Sequence, residues 1–208
     1  LSHVSPQAHY PENLRVVLLG DSRIQQWGVP VFGKQIETIN LGISGATSAE
    51  VLCLVTEEIV QIKADWFIVQ VGINDIVAAS MQSQDRRNIT IKNLLANLKK
   101  IVQQLRDIDS RLIVLTLVPP ISPDIMRSFL WGGGIDEAVE QVSGEIVNEL
   151  GQDVFVYDMK QLFFNREHSR WEKHYATDAL HWSQEGYEHL THEMRNLFVR
   201  SMQDEKKH

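Results

Sequence analysis

The sequence predicts an α/β protein with a doubly wound parallel sheet, and three observations support this prediction. Short apolar runs that resemble strands alternate with helical patterns along the 208 residues. The apolar runs are nearly continuous, as expected for strands that are covered on both faces. No repeat, low-complexity tract or linker interrupts the alternation. We therefore expect one domain over residues 1–202 and a disordered tail over residues 203–208.

Five segments are predicted as strands from their runs of apolar residues. The first run ends at Gly20, and Pro119 and Pro120 close the fourth, because proline cannot donate to a central ladder. The five predicted strands cover residues 15–19, 36–40, 66–71, 112–118 and 154–157.

Four segments have the spacing of apolar residues that is typical of amphipathic helices. The strongest pattern covers residues 91–105, where apolar side chains recur at i, i+3, i+4 and i+7 and the opposite face is polar. Weaker patterns predict helices over residues 48–62, 136–150 and 184–201.

Composition excludes some classes of function. The formal net charge is −7, with acidic and basic residues mixed along the chain, whereas nucleic-acid binders carry basic stripes. No apolar run approaches the roughly 20 residues that a membrane-spanning helix needs. The only cysteine, Cys53, permits no internal disulfide and leaves the redox compartment open.

The sequence gives little information on compartment or assembly. The chain begins at Leu1, without an initiator methionine and without a signal-peptide pattern. The absence of a visible leader favours the cytoplasm, although a leader removed before Leu1 would leave the same sequence. The oligomeric state stays open.

Polar motifs follow several of the predicted strands, at the end where ligands bind in parallel α/β sheets. Each motif alone has a simpler explanation, since Asp and Ser after a strand commonly form a turn and cap a helix. Together they provide the hydroxyl, the base, the carboxylate and the amide donors that nucleophilic acyl transfer needs. The motifs are Gly20-Asp21-Ser22, Asn40 to Gly45, Gly72-Ile73-Asn74-Asp75 and Asp178-Ala179-Leu180-His181.

These four motifs, in this order and over nearly the whole chain, resemble the blocks of the SGNH (GDSL-type) hydrolase family of esterases, lipases and thioesterases. The resemblance implies a flavodoxin-like three-layer α/β/α sandwich with a five-stranded parallel sheet. It also implies a cofactor-free hydrolase that acts on a small-molecule acyl ester. The chain lacks Gly-x-Ser-x-Gly around Ser22, which argues against the α/β-hydrolase nucleophile elbow.

The resemblance also assigns roles to individual residues. Ser22 would be the nucleophile, His181 the general base and Asp178 the acceptor for the other imidazole N–H. The oxyanion hole would comprise the backbone N–H groups of Ser22 and Gly45 and the side-chain amide of Asn74. Gly42 is the alternative to Gly45 as the glycine of the oxyanion hole, and the pattern Ser-Gly-x-Thr favours Gly45.

Four further residues are candidates for lining the substrate site. Arg23 follows the nucleophile and either faces the cleft or lies on a solvated helix surface, and Asp75 follows the oxyanion asparagine. Phe129 and Trp131 belong to a loop over residues 128–134, which either forms an acyl pocket or lid or packs its aromatic side chains on the body of the protein.

Histidines are frequent near the end of the chain, but their spacing does not indicate a metal site. His189 and His192 lie one helical turn apart, without an H-x-x-x-H or cysteine-rich ligand pattern. We therefore expect no metal and no cofactor.

The substrate is left open between a carbohydrate O-acetyl group, a short fatty ester, a thioester and a lysophospholipid. The alternative from another class is a non-catalytic binding module that keeps the fold and the cleft. The complete set of Ser22, Asn74, Asp178 and His181 argues against it. A Rossmann-like nucleotide binder is a third alternative, but no G-x-G-x-x-G follows the first strand.

Overall fold

The computed structural model describes residues 14–55, 59, 61–108, 110–119, 134–150, 154–165, 167, 170–178 and 180–205. Side chains are described as far as Arg200. Over these residues, strands and helices alternate as the sequence predicts.

A five-stranded sheet lies at the centre of the fold. Its strands are β1 (Leu14–Gly20), β2 (Ile36–Gly42), β3 (Trp66–Gln70), β4 (Arg111–Leu115) and β5 (Phe155–Tyr157). They pair in the order β2-β1-β3-β4-β5, and every pair is parallel. This order is that of the flavodoxin-like doubly wound fold, and it confirms the predicted fold class.

Helices connect the strands and cover both faces of the sheet. They are α1 (Ser22–Trp27), α2 (Ser48–Leu54), α3 (Ile73–Ser80), α4 (Gln84–Arg106), α5 (Ile135–Leu150), α6 (Lys160–Phe163) and α7 (Gln184–Glu205). A small antiparallel hairpin of β6 (Phe164–Asn165) and β7 (Arg170–Trp171) and a 3-10 turn (Lys173–Tyr175) lie between α6 and α7.

The two faces of the sheet contribute to two separate hydrophobic cores, because successive side chains of a strand point to opposite faces. On β1, Val17 and Leu19 pack with residues of α2, α3, α4 and α5. Val16 and Leu18 pack with residues of α1, α6 and α7. All four side chains are fully buried. The sheet is therefore a central layer with a helical layer on each side.

Several boundaries differ from the prediction. Helix α4 begins at Gln84, well before residue 91. The prediction missed its first turns because they are polar and carry no apolar stripe. The prediction did not include α1 and α3, whose six and eight residues are too few to show a clear period. Strand β4 ends at Leu115 instead of residue 118, where side chains bind the backbone: Gln70 Nε2 donates to the Thr116 carbonyl and Ser143 Oγ accepts from the Leu117 N–H.

The last helix continues past the position where the sequence predicts the tail to begin. Helix α7 continues to Glu205, so residues 203–205 are helical, whereas the predicted disordered tail begins at Gln203. Each added residue of an existing helix gains a backbone hydrogen bond, and this short segment consists of residues that tolerate helix. Residues 206–208 lie outside the described residues.

Helix α1 lies directly against the end of β2 at Gly42. A Cβ atom at position 42 would lie 2.3 Å from the backbone nitrogen of Gln25 and 2.7 Å from its Cα. Any larger side chain would therefore push α1, which begins at Ser22, away from the sheet.

We predict that Gly42→Ala destabilises the protein by about 1–3 kcal/mol, because a methyl group there overlaps the α1 backbone. Urea unfolding followed by circular dichroism measures this change. The matched control is Gly144→Ala in α5, where a Cβ would meet nothing within 4 Å. The control is expected to gain about 0.5–1 kcal/mol, because alanine favours helix over glycine. Equal stability of the two variants would contradict the close approach of α1 and β2.

Candidate active site

Ser22 lies at the carboxyl edge of the sheet, as the first residue of α1 directly after β1 and Asp21. Asp21 caps this helix, since its Oδ1 atom accepts a hydrogen bond of 2.9 Å from the backbone N–H of Arg23. Ser22 is buried, with only 5% of the residue exposed. The local sequence Gly-Asp-Ser therefore forms a capped strand-to-helix turn that fixes the position of a hydroxyl group.

Asp178 organises the loop that carries His181. Its Oδ1 atom accepts hydrogen bonds from the backbone N–H groups of Leu180 (2.7 Å) and His181 (2.9 Å). Its Oδ2 atom lies 2.8 Å from Nδ1 of the His181 ring. Partial burial raises the pKa of Asp178, but the His181 ring and the two N–H groups outweigh this effect and lower the pKa to about 2. The carboxylate is therefore ionised at neutral pH and accepts from the imidazole.

The opposite side of the His181 ring faces the hydroxyl of Ser22. The distance from Nε2 to Ser22 Oγ is 3.0 Å. When Nδ1 carries the proton and donates a hydrogen bond to Asp178, Nε2 has a lone pair that accepts a hydrogen bond from the Ser22 hydroxyl. The structure thus brings together three residues that the sequence separates by up to 159 positions, in a continuous hydrogen-bonded chain.

The loop that carries Asp178 and His181 closes on itself through short-range backbone contacts. The N–H of Thr177 donates to the His181 carbonyl at 3.0 Å, and Ala176 forms an isolated antiparallel bridge with Trp182. The N–H of Ser183 donates to the Tyr175 carbonyl at 2.7 Å. The Asp-x-x-His spacing therefore folds into a tight loop directly before α7.

Two of the predicted oxyanion residues lie on neighbouring loops of the same edge. Gly45 has a positive φ of 76°, which glycine adopts without strain, and a Cβ atom built there would meet nothing within 4 Å. The Asn74 side chain, at the start of α3, donates one amide hydrogen to the Ala46 carbonyl at 3.0 Å. An amide nitrogen has two hydrogens, so Asn74 keeps a second donor.

The structure distinguishes the two glycines that compete in the second motif. The N–H of Gly42 donates to Oδ1 of Asn40 at 2.8 Å, so it is occupied within its own strand end. None of the described residues accepts a hydrogen bond from the N–H of Gly45. This arrangement favours Gly45 as the donor and gives Gly42 the packing role described above.

Asp75, a candidate for lining the substrate site, is nearly enclosed in the structure. The residue is 8% exposed, and its carboxylate accepts both the N–H (2.9 Å) and the hydroxyl (2.8 Å) of Ser48 at the start of α2. Burial raises the pKa of Asp75, against the lowering effect of the Ser48 bonds. Asp75 therefore links the loop after β2 to the loop after β3.

Asn97, on α4, completes this link. Its Nδ2 atom donates to Ser48 Oγ at 3.0 Å. The only sequence signal is its spacing, because Asn97 lies three residues after buried Leu94, next to the apolar stripe of α4. A polar residue beside the apolar stripe of a helix is placed to make such a half-buried contact.

Arg23 occupies neither of the two positions considered from sequence, the cleft or a solvated helix surface. It is 1% exposed. Its Nε atom donates to the Leu180 carbonyl and its Nη1 atom to the Val118 carbonyl, each at 2.7 Å. Arg23 is therefore enclosed behind the site, and its guanidinium has no access to a substrate.

Asp21 is fully buried beside these groups. Burial raises the pKa of Asp21 to about 6, although the charge and the N–H of Arg23 act in the opposite direction. Its Oδ2 atom has no hydrogen-bond partner among the described residues. A carboxyl group in this environment retains its proton to higher pH than in an unfolded chain.

The loop over residues 128–134, predicted as an acyl pocket or lid, lies outside the described residues except for Gly134. Phe129 and Trp131 lie outside the described residues, so their role stays a prediction. Over the residues that the structure does describe, no group of three or more His, Cys, Asp or Glu side chains is placed to hold a metal ion. The described helices include none that is long and apolar enough to cross a membrane.

A sequence model of the GDSL-like lipase/acylhydrolase family matches residues 18–189, a range that includes all four motifs. The chain belongs to this family. It is accordingly an esterase-type hydrolase, and the predicted family membership is confirmed. Comparison with curated protein sequences finds no match.

Solved structures of other proteins share the fold of this GDSL-like hydrolase. A GDSL-like lipase from Bacteroides thetaiotaomicron superimposes with a TM-score of 0.65 at 17% identity, over 90% of this chain and 88% of that one. A carbohydrate acetylesterase from Sinorhizobium meliloti gives 0.66 at 15% identity, over 90% and 99%. A catalytic mutant of an acetylxylan esterase from Geobacillus stearothermophilus gives 0.63 at 18%, over 88% and 93%. At these identities the similarity shows the common fold.

The raised pKa of Asp21 predicts a specific pH dependence of stability. Between about pH 4 and pH 6 the unfolded chain ionises Asp21 while the folded protein still holds the proton, so stability falls as pH rises. Asn at this position caps the helix without titrating. We therefore expect the free energy of unfolding of wild type, relative to Asp21→Asn, to fall by about 2 kcal/mol from pH 4 to pH 7. Urea unfolding at each pH measures it, and a difference that is independent of pH would contradict the assignment.

Proposed function

We propose that this hydrolase cleaves carboxylic or thio esters through an acyl-enzyme intermediate on Ser22. The observation that carries the proposal is the hydrogen-bonded chain from Ser22 Oγ to His181 Nε2 (3.0 Å) and from His181 Nδ1 to Asp178 Oδ2 (2.8 Å). A serine hydroxyl is a weak nucleophile until an adjacent base takes its proton, and the base needs a third group to fix its tautomer. The three residues meet these requirements.

In the first half of the reaction, Ser22 Oγ attacks the carbonyl carbon of the ester and His181 Nε2 takes the hydroxyl proton. The bond between the carbonyl carbon and the leaving oxygen or sulfur then breaks. His181 returns its proton to the leaving alcohol or thiol, and the acyl group stays on Ser22.

In the second half, water takes the place of the leaving group. His181 removes a proton from the water, which attacks the acyl carbon, and the bond to Ser22 Oγ breaks. The same proton then restores the serine hydroxyl, and the carboxylic acid leaves. Asp178, with its pKa of about 2, stays ionised and stabilises the imidazolium formed in each half.

The negative charge that develops on the carbonyl oxygen needs donors that point to one place. We assign this role to the N–H of Ser22, the N–H of Gly45 and the free amide hydrogen of Asn74. The support is their common edge of the sheet and the positive φ of Gly45, which orients its peptide group. The bond from Asn74 to the Ala46 carbonyl holds the side chain in place.

The acyl group and the alcohol of the substrate are left open by the described residues. Two of the structural neighbours act on acetylated carbohydrates, so an acetyl ester of a sugar is a natural member of any test series. The series therefore combines p-nitrophenyl esters from acetate to palmitate with acetylated xylo-oligosaccharides. Chain-length preference then follows from the relative kcat/KM values.

We predict that Ser22→Ala loses at least about 10³-fold in kcat on the best ester of this series, because the nucleophile is absent. A fluorophosphonate should modify Ser22 in wild type, and mass spectrometry of the Ser22 peptide should show no label in the variant. The control is Ser110→Ala, since Ser110 bonds to the Ala64 carbonyl at the amino end of β4, away from the site. Equal turnover by wild type and Ser22→Ala would overturn the proposal, as would an absence of turnover on all esters, which favours a binding module.

We also predict that Asn74→Ala lowers kcat about 10²- to 10³-fold with little change in KM, because the lost donor acts on the charge of the transition state. Asn88→Ala is the control, since Asn88 is an exposed residue of α4 whose side chain accepts from Gln84. Steady-state kinetics measures both variants. A rise in KM at unchanged kcat would assign Asn74 to substrate binding instead.

A further inference from the structure

Arg23 is a fully buried side chain next to the site, and the proposed mechanism does not use it. Arginine is rarely fully buried, because its charge loses water when it is enclosed. Among the described residues, no carboxylate oxygen forms an ion pair with its guanidinium within 4.0 Å. Its polar partners are two backbone carbonyls, so the buried guanidinium fixes the position of these two carbonyls.

The two carbonyls belong to different parts of the fold. Nη1 donates to Val118, just beyond β4, and Nε donates to Leu180, in the loop of Asp178 and His181. Arg23 itself is the second residue of α1, directly after Ser22. The guanidinium is planar and its donors are fixed relative to one another, so the group sets the distance between these three elements.

The Leu180 contact bears on His181 through a single peptide group. The carbonyl of Leu180 and the N–H of His181 belong to the same planar peptide unit. Arg23 holds its oxygen at 2.7 Å, while Asp178 Oδ1 holds its N–H at 2.9 Å. The two bonds fix the orientation of this peptide plane from opposite sides, and the plane in turn directs the Cα–Cβ bond of His181.

Contacts on the remaining sides keep Arg23 itself in place. The guanidinium lies 5.5 Å from the centre of the Trp182 ring, within range of a cation–π interaction. The Tyr187 hydroxyl, from α7, donates to the Arg23 carbonyl at 2.8 Å. Arg23 therefore connects α1, which carries Ser22, to the residues on both sides of His181.

We propose that Arg23 is a positioning residue that holds the Leu180–His181 peptide, and with it the imidazole, at hydrogen-bond distance from Ser22. The inference rests on the proposed function, because it gives Arg23 an effect on the serine–histidine pair. Arg23 touches no substrate. Its contribution is the geometry of His181, so it acts on the rate of the chemical step and leaves substrate affinity unchanged.

The test compares Arg23→Met with wild type. Methionine fills a similar volume with an unbranched chain but donates no hydrogen bond. We expect kcat per fluorophosphonate-titrated site to fall about 10- to 100-fold, with KM changed less than about twofold, because small misplacements of a catalytic group have effects of this size. Arg23→Lys keeps the charge but not the planar pair of donors, so it should restore only part of kcat.

A second measurement follows the site without turnover. The Nδ1 proton of His181, shared with Asp178, gives a strongly downfield signal in the proton NMR spectrum when the ring is held in place. This signal should broaden or disappear in Arg23→Met while the circular dichroism spectrum stays that of wild type. The control is Arg111→Met: Arg111 also lies over a tryptophan, with its Cζ 5.2 Å from the centre of the Trp66 ring, but at the opposite edge of the sheet. The control should keep both kcat and the signal.

Wild-type kcat together with an unchanged His181 signal in Arg23→Met would overturn the inference. So would a loss of kcat that Arg111→Met shows equally, because the effect would then reflect general stability. Full activity of Ser22→Ala would instead overturn the proposed function. In that case the NMR signal still tests whether Arg23 positions His181.

Discussion

The parallel register of β1 with its two neighbours is the constraint on which the site depends. In this register Gly20 lies opposite Gly42 on β2 and opposite Gln70 on β3. Three consecutive strand ends therefore stop at the same level, and the three loops that follow them meet at one edge. A register shifted by two residues would keep the apolar faces of the strands buried but would separate Ser22 from the loops that follow β2 and β3.

Buried polar groups then convert this common edge into a defined geometry. Asp75 ties the loop after β2 to the loop after β3 through Ser48, and Asn97 supports Ser48 from α4. Arg23 ties the loop that carries Asp178 and His181 to α1 and to the end of β4. Such groups are expensive to bury when any partner is missing, and nearly all of their bonding groups are satisfied here. The unpartnered Oδ2 of Asp21 is an exception among the described residues, and it coincides with a raised pKa of the carboxyl group.

The prediction from sequence was strongest where an element has a long, regular pattern. The apolar runs of β1, β3 and β4 and the stripe of α4 are visible because burial on both faces of a sheet, or along one face of a helix, requires a regular pattern of apolar residues. The short helices α1 and α3 carry too few residues for a period, although they follow the first and third motifs directly. The end of β4 was misplaced because the side chains of Gln70 and Ser143 bond to the backbone that follows Leu115. These partners are distant in sequence, so no local pattern predicts them.

By itself, the sequence determined the fold class, the family and the residue types available for acyl transfer, because strand periodicity and the four ordered motifs are local features of the chain. Only the tertiary structure decided which polar residues come together at the carboxyl edge of the sheet and which are enclosed behind it. Arg23 and Asp75 stand next to the proposed nucleophile and an oxyanion donor in the chain, yet both are buried with their hydrogen bonds directed to loops distant in sequence. It also distinguished Gly45 from Gly42, since only the packing of α1 on β2 and the Asn40 contact assign Gly42 another role. The physical reason is the same in each case: adjacent residues share a position along the chain, but the direction and the partners of a side chain are set by the elements packed around it.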